Sequence, residues 1–184
     1  MDNPKYLPLL AEGFAKAAHF GQVRKYTGEP YYVHCREVAF IVGLTDARPC
    51  VEAAAWLHDV LEDTQVTEAY LLDVFGREVT ELVKEVTDIS LPHDGNRTRR
   101  KEIDRNHLAL SSRNGATIKL ADLIHNTHSI TKYDPDFAKI YLEEKAMLLE
   151  VLQHGNRELW QKARVTLMSA QQLLNAGVKN GGTA

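Results

Sequence analysis

The sequence reads His58-Asp59-Val60-Leu61-Glu62-Asp63-Thr64 at the end of an alanine-rich apolar segment. At about 100° per residue, a helix would carry the imidazole and the three carboxylates of this stretch on one half of its surface. The adjacent His58 and Asp59 can converge on one ion, and Glu62 and Asp63 can handle protons beside it. The stretch therefore predicts a metal-dependent phosphohydrolase site whose other ligands come from elsewhere in the chain.

Two candidates for those ligands, His34 and Asp122, lie in apolar or aromatic segments. The carboxylate of Asp122 would be unfavourable among its apolar neighbours unless it were paired, and a metal ion is one sufficient partner. Two imidazoles and two carboxylates can hold one divalent ion while leaving positions for water and substrate. Such a mixed nitrogen and oxygen set does not separate Zn, Fe, Ni and Mn, so the residues alone leave the metal open.

The remaining histidines are a weaker signal. A lone His-Asp pair on a helix is ordinarily a hydrogen-bonded surface pair, but the neighbouring acids and the further ligand candidates favour a metal site here. His125 shares a helix with Asp122, and it is either an outer partner of the site or a packing residue. Four histidines share no helix face with a second ligand and are expected at the surface or in packing: His19, His93, His107 and His154.

The composition is that of one globular domain. The chain has 184 residues, of which 44% are hydrophobic and 26% charged, and this argues against disordered and fibrous classes. A net charge of −3 gives no basic footprint for nucleic acid, and the sequence shows neither a membrane span nor a leader. Cys35 and Cys50 are expected to be free thiols in a reducing, cytoplasmic compartment. We expect a single domain over residues 1–177 and a flexible tail over 178–184.

Apolar residues recur at three-to-four spacing in nearly every segment, which predicts an all-α bundle of about eight helices. Glycine, proline and capping residues set the expected boundaries, with loops at 26–30 and 89–96. The predicted helical segments are residues 4–20, 31–42, 49–63, 67–76, 77–88, 97–112, 116–133, 135–154 and 157–175.

Several motifs together resemble the HD-domain hydrolases of the RelA/SpoT alarmone group, and in particular their small stand-alone members. The HD pair alone is weak, whereas the combined motifs are specific, and they occur in the family's order over roughly residues 11 to 130. The matching elements are His19-x-x-Gln22-x-Arg24-Lys25, Thr27-Gly28-Glu29-Pro30-Tyr31-x-x-His34, Leu57-His58-Asp59-Val60-Leu61-Glu62-Asp63-Thr64, Phe75-Gly76, and Lys119-Leu120-Ala121-Asp122 with Asn126.

This resemblance implies an HD-domain fold, one Mn²⁺ ion and removal of the 3′-pyrophosphate from (p)ppGpp, giving GDP or GTP and pyrophosphate. It assigns the metal ligands to His34, His58, Asp59 and Asp122. It assigns the catalytic pair to Glu62 and Asp63, and the substrate contacts to Arg24, Lys25 and Asn126. The chain departs from the family at Cys35, where proline is usual, and at His128 and Ser129, where many members have arginine and a small polar residue.

Other functions stay open at this point. A related nucleotide hydrolase could act on (p)ppApp or on the 2′-phosphate of NADPH, and these substrates cannot be separated from sequence. A non-catalytic nucleotide sensor would need phosphate contacts but not the Glu62-Asp63 pair, and a metal-free helical scaffold would need neither. The expected partner is a small nucleotide, without nucleic acid or membrane, and a homodimer is left open.

Overall fold

The computed structural model describes residues 4–45 and 48–180, and they form an all-α bundle. The helices are α1 (Leu7–Ala18), α2 (Tyr32–Gly43), α3 (Pro49–Trp56), α4 (Val60–Asp63), α5 (Glu68–Val86), α6 (Arg97–Leu108), α7 (Arg113–Tyr133), α8 (Pro135–Val151) and α9 (Arg157–Asn180). Short 3₁₀ turns span Pro4–Tyr6 and Pro92–Asp94. Within the described ranges there is one isolated antiparallel bridge, between Val23 and Pro30, and no strand.

The predicted all-α architecture is confirmed. Among the described residues, eight helices have eight or more residues, and α4 is a single turn. The predicted break at Gly76 is also present, because this residue interrupts α5 with φ 76° and ψ 176°. That φ is positive and favours glycine. None of these helices is long and apolar enough to cross a membrane.

Three predicted helix boundaries are wrong. The segment predicted as one helix to residue 63 is interrupted at residues 57–59, so His58 and Asp59 lie in a turn between α3 and α4. The predicted stop at Asn114-Gly115 is instead the first turn of α7, because the Ser112 hydroxyl accepts a hydrogen bond from the Gly115 amide at 3.2 Å. Consequently α6 ends at Leu108 rather than at Ser112.

Helix α7 lies at the centre of the bundle. Residues 115–124 are all buried, and a helix that is buried on every side must be surrounded by other helices. It packs against α2, α3, α5, α8 and α9. The small residues Ala53, Ala54 and Ala55 allow α1, α2 and α5 to pack on α3. This packing brings one end of α2, the α3–α4 turn and the middle of α7 together.

The C-terminal helix α9 runs to Asn180, so residues 178–180 of the predicted tail are helical. Residues 181–184 lie outside the described residues. The proposed limits of the domain, residues 1–177, stay a prediction.

The turn between α8 and α9 depends on close packing at Gly155. A Cβ atom there would lie 2.8 Å from Leu120 Cδ1 and 3.2 Å from the backbone of Ala116. We therefore expect Gly155→Ala to lower the free energy of unfolding by about 1–3 kcal/mol through overpacking. Urea titration followed by circular dichroism measures this change. Gly13→Ala is the matched control, because Gly13 is exposed on α1 with open space around it. In this variant we expect the free energy of unfolding to rise by about 1 kcal/mol. Equal effects at both sites would contradict this account.

Candidate active site

The four predicted metal ligands come from three parts of the bundle. His34 lies in the first turn of α2, His58 and Asp59 lie in the α3–α4 turn, and Asp122 lies in the middle of α7. Their exposed fractions are 1% for His34, 1% for His58, 8% for Asp59 and 6% for Asp122. Buried charged groups of this kind require partners, so their convergence is a strong constraint on what the site binds.

The polar atoms of these residues face one point. The two Nε2 atoms of His34 and His58 lie 3.2 Å apart. Asp59 Oδ2 is 3.4 Å from the first and 3.1 Å from the second. Asp122 Oδ1 approaches from the opposite helix, at 3.3 Å from His34 Nε2 and 3.9 Å from His58 Nε2. The structure thus brings all four predicted ligands together.

The outer nitrogen of each imidazole is already engaged. His58 Nδ1 lies 2.8 Å from the carbonyl oxygen of Ala55, so it donates there, and Nε2 is the nitrogen that faces the other predicted ligands. His34 Nδ1 lies 2.7 Å from His125 Nδ1. Burial, followed by the charges of His34 and Arg24, lowers the pKa of His125 to about 4. His125 is therefore neutral near pH 7 and can accept the His34 hydrogen, as an outer partner of the site would.

The donor set fits a divalent cation. The two Nε2 atoms, 3.2 Å apart, and the two carboxylates around them favour a positive charge at their centre. Burial lowers the pKa of His58, but the charge of Asp59 outweighs it and raises the pKa to about 9, so without an ion this charge is a proton. Burial alone would raise the pKa of Asp59, but His58 and His34 hold it well below its ordinary value. At Asp122 burial is likewise outweighed, by Lys119 and then by His34, and its pKa is also lowered. Both carboxylates are thus ionised, and the set has the composition of a nitrogen and oxygen metal site.

Three side chains fix the orientation of the two carboxylates. The Tyr31 hydroxyl donates to Asp59 Oδ2 at 2.8 Å, and Asn126 Nδ2 donates to Asp122 Oδ1 at 2.5 Å. Lys119 Nζ lies 3.3 Å from the other oxygen of Asp122 and is itself buried. Both oxygens of Asp122 therefore have a protein partner, and Oδ1, which also faces the imidazoles, has a second lone pair with which it can bind an ion.

Loss of the His125 contact should weaken metal binding. We expect His125→Phe to reduce the affinity for Mn²⁺ by about 10–100-fold, because the ring of His34 then loses the partner that fixes its tautomer and orientation. Isothermal titration calorimetry on the purified protein measures the change. The control is His93→Phe, since His93 is exposed in the 3₁₀ turn before α6. If the two variants bound Mn²⁺ equally well, the proposed role of His125 would be wrong.

The acidic pair lies at the rim of the site. Glu62 and Asp63 form the exposed end of α4, and Glu62 Oε1 accepts a hydrogen bond from the Asp88 amide at 2.6 Å. Although the residue as a whole is exposed, the carboxyl of Glu62 lies among neighbouring protein atoms, and its partial loss of hydration raises its pKa to about 7. Lys119 opposes this shift, and Asp88 and Asp59 add to it. Loss of hydration, followed by the charge of Asp59, also raises the pKa of Asp63. Raised carboxyl pKa values beside a metal site are suited to proton transfer near neutral pH.

The three predicted substrate contacts line one cavity. Arg24, Lys25 and Asn126 all border a space of 160 Å³, and Arg24 also borders a neighbouring space of 390 Å³ that reaches His34. The Arg24 guanidinium donates to Asn126 Oδ1 at 2.7 Å, so a chain of hydrogen bonds joins it to Asp122. Lys25 is largely exposed and pairs with Asp134 at 3.5 Å. A larger cavity of 870 Å³ lies between α7, α8 and α9, but none of the predicted ligands lines it.

Comparison with known proteins is consistent with this geometry. The family model described as an HD domain matches residues 11–148 of the chain. The chain belongs to the HD-domain family. Over 138 residues, 70% of the chain, this HD domain is 38% identical to a probable chloroplastic GTP diphosphokinase, RSH3, of Arabidopsis thaliana, of which the match covers 19%.

Two further relatives bear on the resemblance to the RelA/SpoT group. The HD domain is 34% identical over 152 residues, 77% of the chain, to a probable guanosine-3′,5′-bis(diphosphate) 3′-pyrophosphohydrolase of Mycoplasma pneumoniae, of which the match covers 21%. A solved structure of a metazoan SpoT ortholog, described as hydrolysing ppGpp and acting in starvation responses, superposes with a TM-score of 0.79 at 27% identity. That superposition covers 92% of this chain and 98% of the other. These matches confirm the resemblance, although the chain spans only about a fifth of the length of the curated relatives.

Sequence reasoning missed two residues of the HD-domain site and left a third undecided. Lys119 could have been recognised, because a lysine three residues before Asp122 on an apolar helix can reach its carboxylate. For Tyr31 the sequence allows either a wall of the substrate pocket or a packing role, and the residue both lines the 160 Å³ cavity and bonds to Asp59. The role of Asp88 could not be found from residue type, because it binds Glu62 through its backbone amide, which every residue except proline has. On α6, Arg97 makes a bidentate contact with Glu144 at 2.7 and 2.8 Å. Arg99 and Lys101 are also paired with acidic side chains.

Proposed function

We propose that this HD-domain protein is a metal-dependent phosphohydrolase that removes the 3′-pyrophosphate from (p)ppGpp, with Mn²⁺ as its ion. The convergence of His34, His58, Asp59 and Asp122 beside the Glu62-Asp63 pair carries the proposal. A pure nucleotide sensor would need phosphate contacts but neither water activation nor groups that move protons. The names of the Mycoplasma and metazoan relatives support (p)ppGpp as the substrate.

The residues divide the work of this reaction. When bound by the four ligands, a divalent ion would neutralise phosphate oxygens and make water more acidic. A water oxygen forms a bond to the phosphorus next to the ribose 3′ oxygen, and the bond between that phosphorus and the 3′ oxygen breaks. The 3′ oxygen leaves with the electron pair and takes up a proton, so GDP or GTP and pyrophosphate are released.

Glu62 and Asp63 would move the protons in this scheme. A carboxyl group with a pKa of about 7, as at Glu62, is populated in both protonation states near neutral pH and can accept or give a proton. One member of the pair takes the proton of the attacking water, and the 3′ oxygen is protonated in turn. The exposed position of α4 leaves both carboxyls open to a substrate in the cleft.

Arg24 and Lys25 would hold the anionic substrate beside this pair. Arg24 is anchored by Asn126 and lies with its guanidinium carbon 5.8 Å from the centre of the Tyr31 ring. Its planar donors are suited to phosphate oxygens. The long exposed side chain of Lys25 can move to a phosphate after giving up its contact with Asp134, because a salt bridge at such exposure is weak.

A substrate panel tests the proposal. Purified protein is incubated with Mn²⁺ and with ppGpp, ppApp, NADPH or a deoxynucleoside monophosphate, and products are separated by ion-exchange chromatography. We expect ppGpp to give GDP and pyrophosphate faster than the other substrates react. The same assay with Zn²⁺, Fe²⁺ or Ni²⁺ tests the choice of Mn²⁺. Absence of turnover of every 3′-pyrophosphorylated nucleotide would refute the function, and faster turnover of ppApp or NADPH would reassign the substrate.

The cellular compartment and the oligomeric state remain predictions. Cys35 and Cys50 are free thiols in the structure, which is compatible with a reducing, cytoplasmic compartment. A homodimer is the assembly left open by the sequence, and size-exclusion chromatography with light scattering would establish the oligomeric state.

A further inference from the structure

His19 lies beside the acidic pair, outside the set of ligands and proton carriers described above. It caps the C-terminal end of α1 and is only 2% exposed. Its Nδ1 atom lies 2.8 Å from Gln22 Oε1, and its ring stacks on Tyr31 with centroids 4.8 Å apart. A buried imidazole with a hydrogen bond on one side and a stacked ring on its face has a fixed orientation.

The hydrogen bonds of Gln22 determine which nitrogen of His19 carries the hydrogen. Gln22 Nε2 donates to the backbone carbonyl of Asp63 at 2.6 Å, so the amide oxygen faces His19. Nδ1 of His19 must then be the donor. Nε2 is buried and has no hydrogen-bond partner among the residues that the structure describes. A hydrogen on Nδ1 therefore satisfies the contact that the structure shows.

Both neighbours of His19 lead to the catalytic centre. Gln22 holds the main chain of Asp63, and the Tyr31 hydroxyl bonds to the predicted ligand Asp59 at 2.8 Å. Helix α4 needs such support, because it has four residues and no side-chain hydrogen bond at its N-cap. A single helical turn is not stable by itself, so contacts from outside must hold it in place.

We propose that His19 is a positioning residue that fixes Asp63 through Gln22, while its stacked ring supports Tyr31. The inference rests on the proposed function, because it assigns to His19 the placement of one member of the proton-handling pair. The Gln22 contact acts on the main chain of Asp63 at the end of α4, and the Tyr31–Asp59 hydrogen bond does not depend on it. Metal affinity and substrate affinity should therefore change little when the contact with Gln22 is lost, whereas kcat should fall.

Three variants separate the two contacts of His19. His19→Phe keeps an aromatic ring for stacking but removes the donor, Gln22→Met removes the bridge, and His19→Asn keeps a donor near the position of Nδ1. We expect kcat for ppGpp with Mn²⁺ to fall about 10–100-fold in the first two variants, with KM unchanged. His19→Asn should recover at least part of that loss. The control is His93→Phe, which should match the wild type.

The double variant His19→Phe/Gln22→Met tests whether the two residues act as a unit. Because they share one hydrogen-bonded path to Asp63, the double variant should lose no more activity than either single variant. Losses that multiply would overturn the proposal, and so would a normal kcat in a folded His19→Phe variant. Circular dichroism melting curves separate these outcomes from unfolding.

A measurement without substrate distinguishes this inference from the proposed function. Long-range ¹H–¹⁵N NMR of the purified full chain without Mn²⁺ reports the tautomer of His19. The Nδ1–H form supports the inference, and the Nε2–H form overturns it. Failure of the wild type to hydrolyse ppGpp would contradict the proposed function, whereas an active wild type with an Nε2–H ring at His19 would contradict only the positioning role.

Discussion

Replacement of Asp59 by Asn is expected to lower the hydrolysis rate by at least about 10³-fold, equivalent to about 4 kcal/mol in the activation barrier. Asp59 Oδ2 lies 3.1–3.4 Å from both ligand Nε2 atoms, and the amide removes a negative charge from the centre of the ligand set. The amide also leaves His58 without its buried counter-charge. We measure kcat at saturating ppGpp and Mn²⁺, and we measure Mn²⁺ affinity by calorimetry. Both quantities should fall in the Asp59→Asn variant.

The matched control is Asp73→Asn, because Asp73 is an exposed acid on α5 that carries the same substitution away from the ligand set. It should keep wild-type turnover and Mn²⁺ affinity. A folded Asp59→Asn protein that binds Mn²⁺ as tightly as the control would show that Asp59 is not a ligand. A variant that loses the ion but retains turnover would separate catalysis from this site altogether.

The four candidate ligands could be selected from the sequence, and the structure brings them together, but not by the helical spacing that the sequence suggests. The helical-face argument for His58 and Asp59 requires a continuous helix through residue 63, whereas both residues lie in the turn after α3. They converge because α2, the turn and α7 pack together, and the spacing of residues along one helix cannot express such packing. The prediction of these four residues therefore depends on residue type and motif order, whereas their geometry depends on the tertiary structure.

Helix existence was predicted better than helix ends. The apolar repeat identifies α7 and α9, since long periodic segments leave few alternatives. The start of α7 was predicted wrongly because two signals lie close together in the sequence. Ser112 can cap the N-terminus of a helix, whereas Asn114-Gly115 can end one, and the sequence does not show which of the two applies. The cap prevails because Gly115 donates to it from within the first helical turn.

Charge pairing was the least predictable part of the site. A strongly charged helix such as α6 is ordinarily a solvated surface, yet the ammonium of Lys101 lies 2.5 Å from Asp88, the residue whose backbone amide binds Glu62. Asp104 in turn accepts hydrogen bonds from the amides of Ile89 and Ser90 at 3.1 and 2.8 Å. The loop at 88–90 is thus fixed by side chains more than ten residues away, and such long-range pairs leave no local pattern in the sequence.

Glu62→Gln is the second large effect, and it should separate proton transfer from metal binding. We expect kcat to fall by about 10²–10⁴-fold, because the amide cannot accept or give a proton. Mn²⁺ affinity should change little, since Glu62 is not one of the four converging ligands. The amide oxygen can still accept the Asp88 hydrogen bond, so the loop that this bond holds should stay in place. The matched control is Glu143→Gln on the exposed surface of α8, which should leave both quantities unchanged.

The pH dependence gives a sharper test of the same residue. With a pKa of about 7, Glu62 loses its basic form as the pH falls through 7, so wild-type kcat should decline on the acid side of that value. The Glu62→Gln variant has no such group and should show a low rate without that decline. Rates are measured at saturating Mn²⁺ at each pH, because protonation of the histidine ligands also weakens metal binding. If the variant kept an acid decline at the same pH, another group would be responsible, and Asp63, whose pKa is also raised, would be the next residue to replace.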